Sequence, residues 1–376
     1  MRKIYWFLQQ IEFLGGTETA TISIANLLCN DFDITLVVTG KEVKNVPYNI
    51  DKNIKILFLN NECYSRIDEK ILGFCKEKFY YKAFSLLIKN INFVLFSKFK
   101  YRKLIKKITA ENDILIGSSL DNYMIIPRGR TFVKHYHFNG KFGNSFNEKF
   151  MKLFYRKPDY YVFLNESILE AINGKNKYKK SRSFFIENPI KIKRNFIRKE
   201  AENKFIFLGR FADQKNPLFL IKSMSLLRSK NVKFTLDLYG EGKLENQIKS
   251  LISELSLDDC VFVHKPEKDI QKILMDKNLL LLTSLYEGMP LVINEAAALG
   301  VPTFTTNFGE STIDCVTKEN GIIVNAKSPE EYASHLYLFL NDKNKLENLA
   351  ISAFNFSAKF DDSTIRQKRI DFLSHI

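Results

Sequence analysis

The chain has 376 residues, enough for two domains of ordinary size and long for a single core. With 45% hydrophobic and 26% charged residues it is globular, which excludes disordered, collagen-like and mucin-like classes. The net charge of +15 fits a polyanionic partner (nucleic acid, an acidic membrane or a phosphorylated substrate), and it fits equally a lysine-rich compositional bias.

The chain opens with Met1-Arg2-Lys3 and a short apolar run, Ile4–Leu8, cut off by Gln9, Gln10 and Glu12. That run is too short for the core of a signal peptide. No uncharged run approaches ~20 residues, so no spanning helix is expected. A cytoplasmic protein, soluble or peripheral on the inner face of the plasma membrane, is expected. The five cysteines, Cys29, Cys63, Cys75, Cys260 and Cys315, form no C-x-x-C pair. They are read as reduced thiols, not as disulfides or zinc ligands.

Strand-like runs follow at 3–9, 34–38, 54–59, 113–117, 131–137 and 160–165, then at 204–210, 233–239, 261–264, 279–283, 301–306 and 321–324. Stretches of helical period lie between many of them, among them 217–229 and 243–256. Strands alternating with helices imply parallel sheets covered on both faces, an α/β class. Two sets of about six strands imply two Rossmann-like domains facing across a cleft, with ligands beyond the carboxyl ends of the strands. The boundary is placed after Asn188-Pro189, giving an N-terminal domain over 1–190 and a second over 196–355. Residues 356–376, with Asp362–Leu373 of helical period, are expected to pack back on the first domain.

Segment 76–107 reads as a basic amphipathic helix. Tyr80, Phe84, Leu87, Ile91 and Leu95 form an apolar stripe, and Lys98, Lys100, Arg102, Lys103, Lys106 and Lys107 follow. Such a segment suits an anionic membrane surface, or equally the covering of a sheet.

Four motifs sit at strand ends. The strongest runs from Ser284 to Glu295, with Glu287-Gly288 in a loop after a buried strand and Pro290 at the start of a helix reaching Gly300. Alone, Glu287 and Glu295 would be a capping acid and a solvated helix residue. The flanking strand, the Gly-x-Pro turn and the small residues Ala296-Ala297-Ala298 favour a site. Amides of Gly288, Met289 and Leu291 would face an anion there. The second motif is Gly209-Arg210, with Lys215 five residues on, ahead of Pro217. Glycine allows close backbone approach, and the two cations suit phosphate oxygens. Read alone, it is a surface turn. The third is Gly15-Gly16 after the first strand, without the G-x-G-x-x-G spacing of dinucleotide enzymes. The fourth is His135 and His137, which strand alternation puts on one side; either is otherwise a structural histidine. Asp31-Phe32-Asp33 precedes a strand and reads as a turn, not a metal site.

The segment 284–295 resembles the E-x7-E signature of the family 4 retaining glycosyltransferases (glycosyl transferases group 1, GT-B fold). The resemblance is close over about 200–340 and loose over 1–190. It implies that Glu287 faces the donor sugar, that Glu295 binds the ribose, and that Arg210 and Lys215 contact the donor diphosphate. Gly15 and Gly16 would lie near the donor phosphate and acceptor, and His137, preferred over His135, near the sugar. Gly209, Gly240 in Leu238-Tyr239-Gly240-Glu241-Gly242, Gly288, Met289, Pro290 and Leu291 would line the donor site. Gly309-Glu310 and 320–324 match the turn and strand that follow. The implied activity is retaining transfer of a hexose-type sugar from a UDP-linked donor to a lipid-linked or saccharide acceptor in polysaccharide synthesis. No metal or other cofactor and no nucleic acid is expected. A nucleotide-sugar epimerase of the same shape is the nearest rival, and a basic nucleic-acid-binding protein is the remote one.

Overall fold

A computed structural model describes residues 2–12, 15–43, 45–59, 99–118, 123, 125–135, 157–164, 166, 169, 182–190, 192–196, 202–309 and 311–376. The first half contributes β1 (Lys3–Leu8), α1 (Gly16–Leu28), β2 (Asp33–Val38), β3 (Lys55–Phe58), β4 (Ile114–Gly117), β5 (Thr131–His135), β6 (Tyr160–Phe163) and β7 (Ser183–Phe185). These strands pair in parallel in the order β3-β2-β1-β4-β5-β6-β7. The central strands are buried on both faces, which is why their sequences read as continuous apolar runs and not as alternation.

The second half contributes β8 (Lys204–Leu208), α2 (Pro217–Ser229), β9 (Thr235–Tyr239), α3 (Glu245–Glu254), β10 (Val261–His264), α4 (Ile270–Leu274), β11 (Leu279–Leu282), α5 (Leu291–Ala297), β12 (Thr303–Thr306), α6 (Thr312–Cys315), β13 (Gly321–Val324), α7 (Pro329–Leu340) and α8 (Lys343–Phe356). Its sheet is again parallel, in the order β10-β9-β8-β11-β12-β13. One face packs Phe205, Phe207, Leu236 and Leu238 against α2 and α7; the other packs Ile206, Leu280 and Leu282 against α5. Two such sheets make the GT-B fold.

In each sheet the chain builds outward on one side of the first strand and then returns to its other side. The switch points therefore lie between β1 and β4 and between β8 and β11. Loops leaving the carboxyl ends of those strands diverge and leave a crevice.

After α8 a 3-10 turn (Ser357–Phe360) leads to α9 (Asp362–His375), which lies against α1. Phe372 and Leu373 join the core of the first sheet. Arg2 donates to the carbonyls of Leu373 and Ile376 at 3.1 and 2.9 Å, and Arg366 pairs with Asp31 at 2.5 Å. The outgoing linker meets this return. Arg194 donates to Ser357 Oγ and the Phe354 carbonyl, each at 2.8 Å.

Several sequence boundaries shift. β7 is an added strand: only Ser183, Phe184 and Phe185 pair, a run too short and too close to basic residues to stand out. β9 starts at Thr235, not at 233, and β12 at Thr303, because Pro302 has no N–H for the ladder. The helix expected from Pro290 to Gly300 spans Leu291–Ala297; Pro290 is its extended cap residue, and Gly300 turns with φ +69°.

Candidate active site

The two strongest motifs flank the switch point of the second sheet. Residues 209–216 leave β8, and residues 283–290 leave its neighbour β11. The loops are stitched together. Leu285 N–H donates to the Gln214 carbonyl at 2.8 Å, and the Gln214 side-chain amide donates to the Tyr286 carbonyl at 3.0 Å. Thr283 Oγ1 donates to the Asn216 carbonyl at 3.0 Å. Asn216 holds φ 51°, ψ 47°, the left-handed conformation that asparagine tolerates, and turns the chain into Pro217 at the head of α2.

This stitching brings Lys215 Nζ to 2.5 Å from Glu287 Oε1, with only 14% and 8% of the two side chains exposed. The Lys215 stem lies over Gly209, where a Cβ would meet Lys215 Cε at 3.3 Å. Arg210, exposed at the same strand end, approaches Gln214 Oε1 at 3.4 Å. Behind them Gly240 is a close approach: a Cβ there would meet the Gly209 carbonyl oxygen at 2.0 Å. The Glu287 carbonyl accepts from Ser311 Oγ at 2.8 Å, and Cys315 Sγ lies 3.6 Å from the Gly288 carbonyl, so α6 fixes the loop from below.

Glu295 is buried, at 3% exposure within α5, so it is not a solvated helix residue. Gly288 and Pro290 are buried, and Met289 and Leu291 half-buried, along the same turn. On the first sheet, Gly15 is the cap residue of α1 and its N–H donates to the Tyr48 hydroxyl at 2.9 Å. Gly16 is exposed, and a Cβ there would meet no atom.

His135 turns into the core. It is 1% exposed, its ring meets Trp6 edge-on at 5.7 Å, and its Nε2 lies 3.4 Å from both terminal nitrogens of Arg369. His137 lies outside the described residues, as do Glu310, Cys63, Cys75 and most of segment 76–107. Asp31 and Asp33 are each paired with a cation, Arg366 and Lys55, and no metal-holding carboxylate cluster occurs among the described residues. Sequence reading gave no role to Gln214, Thr283 or Ser311, whose contacts fix the loops. Their only signal was position inside or just after the motifs.

The glycosyl transferases group 1 family matches residues 189–356, the whole segment that carries the Lys215–Glu287 pair. The chain is a glycosyltransferase of the GT-B fold. A Haemophilus influenzae uncharacterized glycosyltransferase is 25% identical over 91% of each chain. A Campylobacter jejuni enzyme, GalNAc-alpha-(1->4)-GalNAc-alpha-(1->3)-diNAcBac-PP-undecaprenol alpha-1,4-N-acetyl-D-galactosaminyltransferase, is 21% identical over 96% of each chain. Among solved structures, a mutant of S. aureus TarM in complex with fondaparinux, alpha-GlcNAc-glycerol and UDP superposes with a TM-score of 0.76 at 15% identity, covering 99% of this chain and 100% of that one. In this glycosyltransferase Lys215 of the 209–216 loop and Glu287 of the 283–290 loop pair at the β8–β11 switch point.

Proposed function

We propose that this glycosyltransferase moves a hexose-type sugar, with retention of anomeric configuration, from a UDP-linked donor to a lipid-linked or saccharide acceptor in glycan assembly. The observation that carries the reading is the Lys215–Glu287 pair at the switch point, with Arg210 beside it. An anionic diphosphate suits Arg210 and Lys215, and Glu287 then stands free to meet sugar hydroxyls. UDP occupies the TarM complex, and the Campylobacter relative is named for an undecaprenyl diphosphate acceptor. The chain's own cations supply the charge that a metal would bring, so the reading needs no metal.

The chemistry follows from charge. The bond from the anomeric carbon to the diphosphate breaks, and negative charge grows on the departing oxygen. Arg210 and Lys215 stabilise that charge more in the transition state than in the ground state. The acceptor hydroxyl attacks on the same face, its oxygen bonds to the anomeric carbon, and its proton passes to the departing phosphate oxygen. Glu295 is assigned to the ribose hydroxyls and His137 to the sugar. The family match favours transfer over epimerisation, the nearest rival.

Association with an anionic membrane at the cytoplasmic face goes with a lipid-linked acceptor. The helix over 99–108 buries Tyr101 and Ile105, and leaves Lys100, Lys103, Lys106 and Lys107 exposed beside Phe99, Leu104 and Ile108. Among the described residues no helix is long and apolar enough to cross a membrane.

The test is turnover of a panel of nucleotide sugars with saccharide and polyprenyl diphosphate acceptors, followed by NMR of the new linkage. Retention from a uridine donor is expected. Inversion, or donor isomerisation without transfer, contradicts the reading.

A further inference from the structure

Gln214 lies half-buried in the turn between β8 and α2. Three of its polar atoms reach across the site. The side-chain oxygen accepts from Arg210 Nη2 at 3.4 Å, the side-chain nitrogen donates to the Tyr286 carbonyl at 3.0 Å, and the main-chain carbonyl accepts from the Leu285 N–H at 2.8 Å. A guanidinium only donates and a carbonyl only accepts, so these neighbours admit one orientation of the amide. One side chain thus ties the exposed cation of the β8 loop to the main chain just ahead of Glu287. The two cations of that loop are held differently. Lys215 is paired with the Glu287 carboxylate. Arg210 forms no ion pair among the described residues, and the acid in its own turn, Asp213, is paired with Lys243. A carboxylate at position 214 would grip the guanidinium harder and would also offset its charge. A neutral amide restrains the side chain and leaves the charge whole.

We propose that Gln214 is a positioning residue: its neutral amide aims Arg210 at the donor diphosphate and keeps the full guanidinium charge available to it. The inference rests on the donor reading of Arg210 and Lys215. A free arginine side chain at the surface samples many rotamers, and a ligand that fixes it must offset that entropy. Gln214 removes part of this cost before the ligand arrives. It engages one terminal nitrogen of the guanidinium, so the rest of the fork stays open to phosphate oxygens. The same amide anchors the Tyr286 carbonyl, so the aim of Arg210 is set relative to the loop that carries Glu287.

The experiment is a double-mutant cycle on the full chain, read as the Kd for UDP, GDP, ADP and TDP by calorimetry, with ligand-observed NMR for the weakest binding. Gln214→Leu should bind the nucleoside diphosphate on the order of fivefold more weakly than wild type, the worth of one exposed charged contact. In the Arg210→Ala background the same substitution should add no further loss, because Gln214 acts through Arg210. Gln214→Glu should also bind more weakly than wild type, by a factor that shrinks at high salt. Wild-type affinity in Gln214→Leu, or an equal loss with and without Arg210, overturns the aiming role and leaves Gln214 as a brace of the loops. Wild-type affinity in Gln214→Glu overturns the need for a neutral partner. If wild type binds none of the diphosphates, or Arg210→Ala binds them as wild type does, the donor reading fails and this inference falls with it.

Discussion

Nζ of Lys215 and Oε1 of Glu287 lie 2.5 Å apart across the junction of β8 and β11, and neither side chain is more than 14% exposed. Each charge has lost much of its water and depends on the other. Lys215→Ala and Glu287→Ala should each lower kcat/KM on the order of 100-fold, about 3 kcal/mol, the usual cost of removing one electrostatic group from such a site. Circular dichroism should show both variants folded. Near-normal turnover in either would remove that residue from the site.

Gly240→Ala tests the backbone beneath the pair. The added Cβ must displace the Gly209 carbonyl, which it would meet at 2.0 Å, and so must move the strand end that carries Arg210. Weaker donor binding and a lower Tm are expected together. A variant with wild-type donor affinity would show that this close approach does not shape the site.

The apolar runs of both sheets were legible because buried parallel strands need nothing else: Leu279–Leu282 and Ile114–Gly117 are apolar on both faces. The helix at Pro217–Ser229 was legible from its proline start and its period. Contacts between distant loops were not. Lys215 and Glu287 each read as a donor contact, and nothing in their own segments shows that one neutralises the other. His135 read as a strand-end candidate, yet Trp6 and Arg369 hold it in the core. Nothing in its own segment sets Arg369 apart from the neighbouring cations Arg366 and Lys368. Only the docking of α9 on the first sheet makes it buried.

Arg369 is 3% exposed and donates to the carbonyls of Ile186 and Glu187 at 3.4 and 3.0 Å. Burial drives its guanidinium down to about 9. Arg369→Ala strips donors from two carbonyls and leaves a void where α9 meets β5. A stability loss of about 3 kcal/mol is expected, read as a lower denaturation midpoint in urea. An unchanged midpoint would mean that α9 is held by Phe372, Leu373, the Arg2 contacts and the ion pairs of Arg366 with Asp31 and Lys368 with Glu187.

The basic helix over 99–108 is tested by flotation with vesicles containing anionic lipid. The intact protein should float, and less so in high salt. A variant with Lys100, Lys103, Lys106 and Lys107 changed to Glu should remain at the bottom. If the two behave alike, the helix merely covers the sheet, and a soluble saccharide becomes the acceptor to pursue.

The most direct test of the donor site is thermal unfolding with nucleoside diphosphates, in wild type and in Lys215→Ala. UDP at a hundred times its Kd should stabilise the wild-type fold by about 2.7 kcal/mol, a rise of several degrees in Tm. The same UDP concentration should leave the Lys215→Ala midpoint nearly unmoved. A wild-type midpoint indifferent to UDP, GDP, ADP and TDP alike, or a Lys215→Ala midpoint that rises as far as wild type, would contradict a diphosphate site built on the β8 loop.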